Sequence, residues 1–287
     1  MILPNVKVRE IECKTAIGKC GFPGGGWAIN PYVGCSHGCL YCYARFIKKF
    51  TGHTEPWGSF VDCRINIAEV LKKQLKSEKY KAGPIYIGTV TDPYQPLEEK
   101  YRLTQKILEV LKDYPAPVAI LTKSALITRD LDLLKKSRNT DVNFTINNLD
   151  EKWQSLTEPY SSTAKERLAA AKKLTREGIC VSAMMGPYWP YFTDPEKLFQ
   201  KFRKAGIKHV FTESFNTTGE NFSDVEQILK RHYLNLLPQI AGTLLNPQKF
   251  YDFYRGAEKK VQEVSKRYHL PVTIYFDRGH ASKFRTG

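Results

Sequence analysis

The stretch 84-PIYIGTVTDPYQPLEEKYRLTQKILEVLKDYPAPVAILTK-123 decides the fold. It opens with a short apolar run, Pro84–Val90, rich in Ile, Val and Tyr, which reads as a buried strand. Across 101–114 apolar residues then recur at Leu103, Ile107, Leu108 and Leu111, the spacing of one helix face. After a break marked by Pro115 and Pro117, Val118–Thr122 is a second apolar run. Strand, helix and strand within about forty residues predict a parallel βαβ unit with a right-handed crossover.

The alternation continues in both directions. Further strands are expected at Phe60–Arg64, Val142–Asn147, Ile179–Met185 and His209–Glu213. Helical spacing runs through 65–79, 128–138, 163–178 and 195–206. Gly178 and Gly206 stand where helix-ending glycines belong, and Asp194-Pro195 has the form of a helix start. About six such units give an α/β protein built as a partial or full TIM-type barrel, with an open doubly wound sheet as the alternative. The tail reads as a long helix over 247–268 and a strand over 272–276. The expected division is an N-terminal extension with a Gly-rich loop (1–30), the barrel (31–235) and a C-terminal helical and strand extension (236–287).

The chain of 287 residues is 42% hydrophobic and 25% charged, which suits a globular protein with a sizeable core. No apolar run approaches the roughly 20 residues of a membrane span, and the N-terminus lacks the pattern of a secretory signal. No membrane partner is expected, and a cytoplasmic location is. Lys and Arg exceed Asp and Glu by 44 to 29, a net charge of +15, which favours a polyanionic partner such as DNA or RNA.

Seven cysteines are an odd count, and three of them fall within eight residues. That is a poor disulfide framework and a good metal site. The Gly/Pro-rich segment 20-CGFPGGGWAINPYVGC-35 reads as a loop wrapping closely around something. The trio itself is Cys35-x3-Cys39-x2-Cys42. Thiolates select zinc or iron–sulfur clusters. Three of them can each hold one iron of a cubane and leave the fourth iron open. An open iron can chelate the amino and carboxylate groups of S-adenosylmethionine (SAM). An electron passed into the sulfonium then breaks a C–S bond and leaves a 5′-deoxyadenosyl radical. A structural zinc needs a fourth ligand, for which His37, Cys20 and Cys13 are the candidates. The x3/x2 spacing and Tyr41 before the last cysteine favour the [4Fe–4S] cluster.

The segment NPYVGCSHGCLYCYAR resembles the cluster loop of radical SAM enzymes, in particular the spore photoproduct lyase and DNA repair photolyase-like group. The resemblance continues in order through TVTDPYQPLEEKYRLTQKILEVL, ILTKSALITRDLDLLKK, FTINNLD, EPYSSTAKERLAAAKKLTREGI and MMGPYWP, over about residues 27–215. It implies a partial (β/α)6 barrel that binds SAM at the carboxyl ends of its strands, as barrel enzymes place their sites. It also implies a reducing partner such as ferredoxin or flavodoxin.

The same resemblance nominates residues for SAM. Tyr41 would lie beside the adenine, and Thr89, Thr91 and Asp92 would approach the amino group. Lys123 would meet the carboxylate, and Thr145 the ribose or methionine part. Asn147 lies two residues on, hence on the same strand face. Gly186 would let the backbone approach a flat base. Glu158 matches a family glutamate of no derivable role. Tyr41 and Tyr43 match tyrosines tied to radical relay and are the catalytic candidates.

The pattern breaks at Gly88-Thr89-Val90-Thr91-Asp92, where the lyase has a hydrogen-donating cysteine and this chain has none. A threonine O–H bond is too strong to replace a thiol, so lyase activity itself is not implied. Cys63 and Cys180 read as small buried hydrophobes, with Cys63 a minor candidate donor. Tyr188, Trp189, Tyr191 and Phe192 are either base-stacking rings or a hydrophobic lid. Residues 246–287 carry nine Lys/Arg against four Asp/Glu. Three functions therefore compete: a radical SAM enzyme acting on nucleic acid, one acting on a peptide or small molecule, and a zinc-stabilised nucleic-acid-binding protein.

Overall fold

A computed structural model describes residues 6–22, 24–81, 83–137, 139–217 and 221–276. Its eleven strands among these residues are β1 (Lys7–Ile11), β2 (Ile17–Lys19), β3 (Trp27–Ile29), β4 (Tyr32–Val33), β5 (Phe60–Arg64), β6 (Ile85–Ile87), β7 (Val118–Thr122), β8 (Thr140–Thr145), β9 (Cys180–Met184), β10 (His209–Glu213) and β11 (Val272–Tyr275). The main sheet has the order β11-β10-β9-β8-β7-β6-β3-β2. Every pair from β3 to β11 is parallel, and β2 joins β3 antiparallel. Consecutive β-then-α units over most of this run match the expected partial TIM-type barrel.

Two expectations need correction. Phe60–Arg64 is a strand, but it lies in a separate sheet of order β1-β5-β4. The first barrel strand is instead β3, inside the segment read as a loop. Its three residues are too short for a periodicity signal, and the glycine run before it masks it. Gly26 explains that run. It has a φ of 105°, and a Cβ there would lie 2.6 Å from the Pro84 carbonyl oxygen. The bare backbone lets Trp27 draw up to β6 and donate its N–H to Pro84 O at 2.9 Å.

Helices cover the outside. Ile67–Gln74, Leu103–Leu111, Leu131–Lys136, Ala164–Arg176 and Pro195–Ala205 fall where the spacing predicts. Leu198, Phe199 and Phe202 of Pro195–Ala205 are buried, and burial of each such side chain is worth roughly 1.5–3 kcal/mol. Asp194 caps this helix by accepting from Lys197 N, and Gly206 ends it in the left-handed region. Thr163 and Glu166 form a capping box for Ala164–Arg176. The long helix is Pro247–Tyr268, and β11 after it adds a strand to the barrel sheet. Helices Glu151–Thr157, Asn221–His232 and Leu237–Leu245 were not anticipated. No helix is long and apolar enough to cross a membrane.

Candidate active site

The parallel strands end together on one side of the sheet, and a pocket opens there. Cys35, Cys39 and Cys42 line it from the loop after β4. Thr89, Thr91 and Asp92 line it after β6, Lys123 after β7, Thr145 at the end of β8, Gly186 after β9 and Glu213 at the end of β10. Tyr41 and Tyr43 also line it. Asn147 is buried just behind, with Nδ2 3.3 Å from the Gly186 carbonyl oxygen and 3.4 Å from the Tyr41 hydroxyl.

The cysteine loop and the loop after β6 are laced into one unit. Ser36 donates from N and Oγ to Gln95 Oε1 at 2.8 and 3.0 Å. Gln95 Nε2 donates to Thr91 Oγ1 at 3.1 Å, and Thr91 Oγ1 donates to Gly34 O at 2.6 Å. Asn30 Nδ2 donates to Thr89 Oγ1 at 3.0 Å, while its Oδ1 accepts from Val90 N at 3.0 Å. Tyr43 donates its hydroxyl to the Thr89 carbonyl. These bonds fix where the thiols stand relative to the strand ends.

Asp92 is the hinge of this unit. Its Oδ1 accepts from Tyr94 N at 2.9 Å and Thr122 Oγ1 at 2.7 Å, and its Oδ2 accepts from Lys123 N at 2.7 Å. His37 Nδ1 lies 3.3 Å from Oδ2, an ion-pair distance whose geometry is not that of a hydrogen bond. Burial works against charge on His37, but the Asp92 carboxylate outweighs it and raises the imidazole to about 9. Burial likewise opposes the Asp92 charge, yet His37, Thr122 and the Lys123 amide hold it down at about 2. With its oxygens so engaged, Asp92 shapes the site by positioning its neighbours.

Glu158 acquires a structural reason. Its carboxylate accepts from the Tyr41 hydroxyl and from Arg167 Nη2, and from Ser161 Oγ at 3.1 Å. Both members of the Glu158–Arg167 pair are 1% exposed. Burial opposes the Glu158 charge, but Arg167 and Lys123 keep its carboxyl below the usual range. Arg167 also reaches the Thr145 and Ser162 carbonyls at 2.7 Å. The helix Ala164–Arg176 thereby pins the cysteine loop, through Tyr41, to the end of β8.

Lys123 carries its ammonium over the Tyr41 ring, 5.9 Å from the centroid. Among the described residues it makes no salt bridge. Burial opposes its charge, and the neighbouring Cys39, Glu158 and Cys42 more than compensate. Burial raises the thiol of Cys42 to about 11 and lifts that of Cys39 well above its ordinary value, against the pull of Lys123. Cysteines bound to metal are deprotonated regardless.

Sequence reasoning missed Glu213. Its carboxyl is raised to about 7 by burial, with Lys123 pulling the other way. It also accounts for Gly186 differently from the expectation. A Cβ at position 186 would lie 2.8 Å from Glu213 Cγ and 3.0 Å from Met184 Sδ, so the glycine makes room for these side chains. No local pattern announces a contact between β9 and β10 of this kind. Asn30 was missed for a similar reason, as its partners lie about sixty residues away.

Other expectations resolve plainly. Trp189 (0% exposed) and Tyr188 (5%) belong to the core, and Phe192 stacks on Trp153 at 3.8 Å, so these three rings are packed inward and none of them lines the pocket. Tyr191 alone of the four is exposed. Cys63 is fully buried in β5 and does not line the pocket, whereas Cys180 is exposed and not the buried residue expected. The basic tail extends past Phe276, and that part lies outside the described residues.

The donor set can be tested against its two candidate occupants. All described cysteines are free, and the three thiols face one pocket. Among the described residues no three His, Cys, Asp or Glu side chains are gathered around a single point as one ion requires. His37 is engaged with Asp92, and neither Cys13 nor Cys20 lines the pocket. Three thiols with a lysine beyond them fit a cluster with one open iron and a carboxylate-bearing ligand.

The comparisons with known proteins agree. A family model described as the radical SAM superfamily matches residues 29–197, more than half of the chain. An uncharacterized protein of Methanocaldococcus jannaschii is 37% identical over 192 residues, which span 67% of this chain and 71% of that protein. A protein of Pseudomonas phage M6 named radical SAM Nα-GlyT isomerase is 26% identical over 239 residues, 82% of this chain and 48% of its own length. Among solved structures, spore photoproduct lyase complexed with dinucleoside spore photoproduct matches with a TM-score of 0.70, covering 93% of this chain and 82% of that one. The identity there is 16%, so that likeness is one of fold.

Proposed function

This chain belongs to the radical SAM superfamily, and on that premise we propose that it is a radical SAM enzyme acting on nucleic acid, in repair or base modification. The family's cofactors, a [4Fe–4S] cluster and SAM, supply one-electron cleavage of a C–S bond and with it a 5′-deoxyadenosyl radical. Cys35, Cys39 and Cys42 would hold three irons. Lys123 would accept the SAM carboxylate through its ammonium. Thr89 and Thr91 would bound the amino group, with Asp92 fixing the backbone of Lys123 beside them. Thr145 and Asn147 would face the ribose and methionine part, and the Tyr41 ring and the backbone at Gly186 the adenine. Tyr43, tied to the end of β6, is the candidate for passing a hydrogen atom or electron.

The observation that carries this reading is the convergence on one pocket at the strand ends of three free thiols and a lysine that has no salt bridge among the described residues. Anaerobic incubation of iron- and sulfide-reconstituted protein with dithionite and SAM should yield 5′-deoxyadenosine, and Cys39→Ala should abolish it. No product from the cluster-loaded wild type would contradict the reading.

The nucleic-acid target rests on the net charge of +15. Affinity for DNA or RNA should fall steeply with salt. A flat response would favour a peptide or small-molecule substrate instead. Electrons would come from a ferredoxin- or flavodoxin-type carrier, and a reducing cytosol would suit the free thiols.

A further inference from the structure

Directly after Cys42 the chain forms a 3-10 turn, Tyr43–Ile47, and a short helix, Lys48–Thr51. This segment exposes two phenylalanines. Phe46 is 44% exposed and Phe50 is 78% exposed, the highest of any large hydrophobic side chain among the described residues. They are not isolated. Tyr43, which lines the pocket, stacks with Phe46 at 6.4 Å between centroids and 23° between planes. Phe46 meets Phe50 edge-on at 6.3 Å and 80°. Three rings thus step from the pocket wall out into solvent.

The charge carried by this segment itself has one sign. Residues 41–54 contain Arg45, Lys48 and Lys49 and no Asp or Glu. Arg45 is engaged, donating to Asp224 at 2.6 Å and to the Leu40 carbonyl at 2.5 Å. Lys48 Nζ donates to the Thr54 carbonyl at 3.4 Å. Among the described residues neither Lys48 nor Lys49 has a carboxylate partner. Projecting rings flanked by unpaired cations match a ligand with flat π faces strung on a polyanion, which is a single strand with unpaired bases.

We propose that Phe46 and Phe50, with Lys48 and Lys49, form a stacking platform that receives unpaired bases and leads a nucleic-acid strand to the pocket beside the cysteine loop. This rests on the nucleic-acid reading above and adds where, and in what form, the strand is held. Of the four rings that the sequence offered either for that role or as a lid, Tyr188 and Trp189 are core residues, Phe192 is stacked on Trp153, and Tyr191 is exposed.

The test measures fluorescence anisotropy of labelled single-stranded DNA, single-stranded RNA and duplex DNA over a salt series, with the cluster-loaded protein. Wild type should prefer single strands. Phe50→Ala and Phe46→Ala should each weaken single-strand binding at least threefold at unchanged salt slope, and Phe50→Trp should restore it. Lys48→Gln with Lys49→Gln should flatten the slope. SAM cleavage by dithionite without substrate should be unchanged in the ring variants. Salt-sensitive binding by wild type with smaller losses in both ring variants overturns the platform and leaves the nucleic-acid reading standing. Absence of salt-sensitive binding by wild type sinks that reading and the platform with it. Unchanged oligonucleotide affinity with impaired turnover from an acidic electron carrier assigns the surface to that carrier and also overturns the proposal.

Discussion

Lys123 and Glu213 face the same pocket from the ends of β7 and β10. The lysine has no salt bridge among the described residues, so its charge is available to a carboxylate ligand. Lys123→Ala should weaken SAM binding about tenfold or more, the loss expected for a hydrogen bond to a charged group worth about 1.5–3 kcal/mol. Its iron and sulfide content should match wild type, and equal SAM dissociation constants would remove the residue from this role. Glu213 faces Lys123, Tyr43 and Tyr254. Its folded value of about 7 stands above its ordinary 4.5, so the native chain keeps a proton that the unfolded chain has released. Stability from this group is full below pH 4.5 and is lost as pH rises to about 7. The melting temperature of Glu213→Gln minus that of wild type, both without cofactors, should therefore rise between pH 5 and 8. A constant difference would show that the carboxyl titrates normally. The cysteines and Lys123 were legible because spacing and motif order are properties of the chain. Glu213 was not, because its meaning comes from packing against Gly186, which only the folded sheet brings near.

Behind the loop after β6 lies a network that belongs to elements rather than residues. Glu98 accepts from the Tyr32 hydroxyl, from Thr104 N at 3.0 Å and from Arg129 at 2.9 Å. Asp130 accepts from Arg129 at 2.7 and 2.8 Å, from Gln105 at 2.7 Å and from Tyr94 at 3.1 Å. Both carboxylates are essentially buried. Arg129→Ala leaves them unpaired and should cost about 3–5 kcal/mol in denaturant unfolding. A loss under 1 kcal/mol would mean that water replaces the guanidinium. The Glu158–Arg167 pair makes the parallel case for the cysteine loop. Arg167→Ala should lower both stability and cluster retention, and a variant that keeps its full iron content would separate that helix from the loop. Long amphipathic elements were readable, and Pro247–Tyr268 emerges with the predicted ends. The five-residue strands Val118–Thr122 and His209–Glu213 were readable too, whereas β1 to β4 were not. β3 hides in a glycine run, and β5, a correctly placed strand, pairs with β1, from which it is separated by about fifty residues.

At the scale of the molecule, one sheet edge gathers residues from positions 35 to 213 around a single pocket. Alternation gave an α/β parallel sheet, as a barrel or doubly wound, and the family resemblance implied the partial barrel, but where the sheet begins was not legible, since it depends on pairings between distant segments. The chemistry was read from the cysteine trio, and the structure places all three cysteines on one pocket. The central claim is that Cys35, Cys39 and Cys42 hold three irons of a [4Fe–4S] cluster. Metal and acid-labile sulfide analysis of anaerobically prepared wild type tests it most directly. The account predicts about four irons and four sulfides per chain, lost together when any one of the three cysteines is replaced by alanine. One zinc and no sulfide would contradict it.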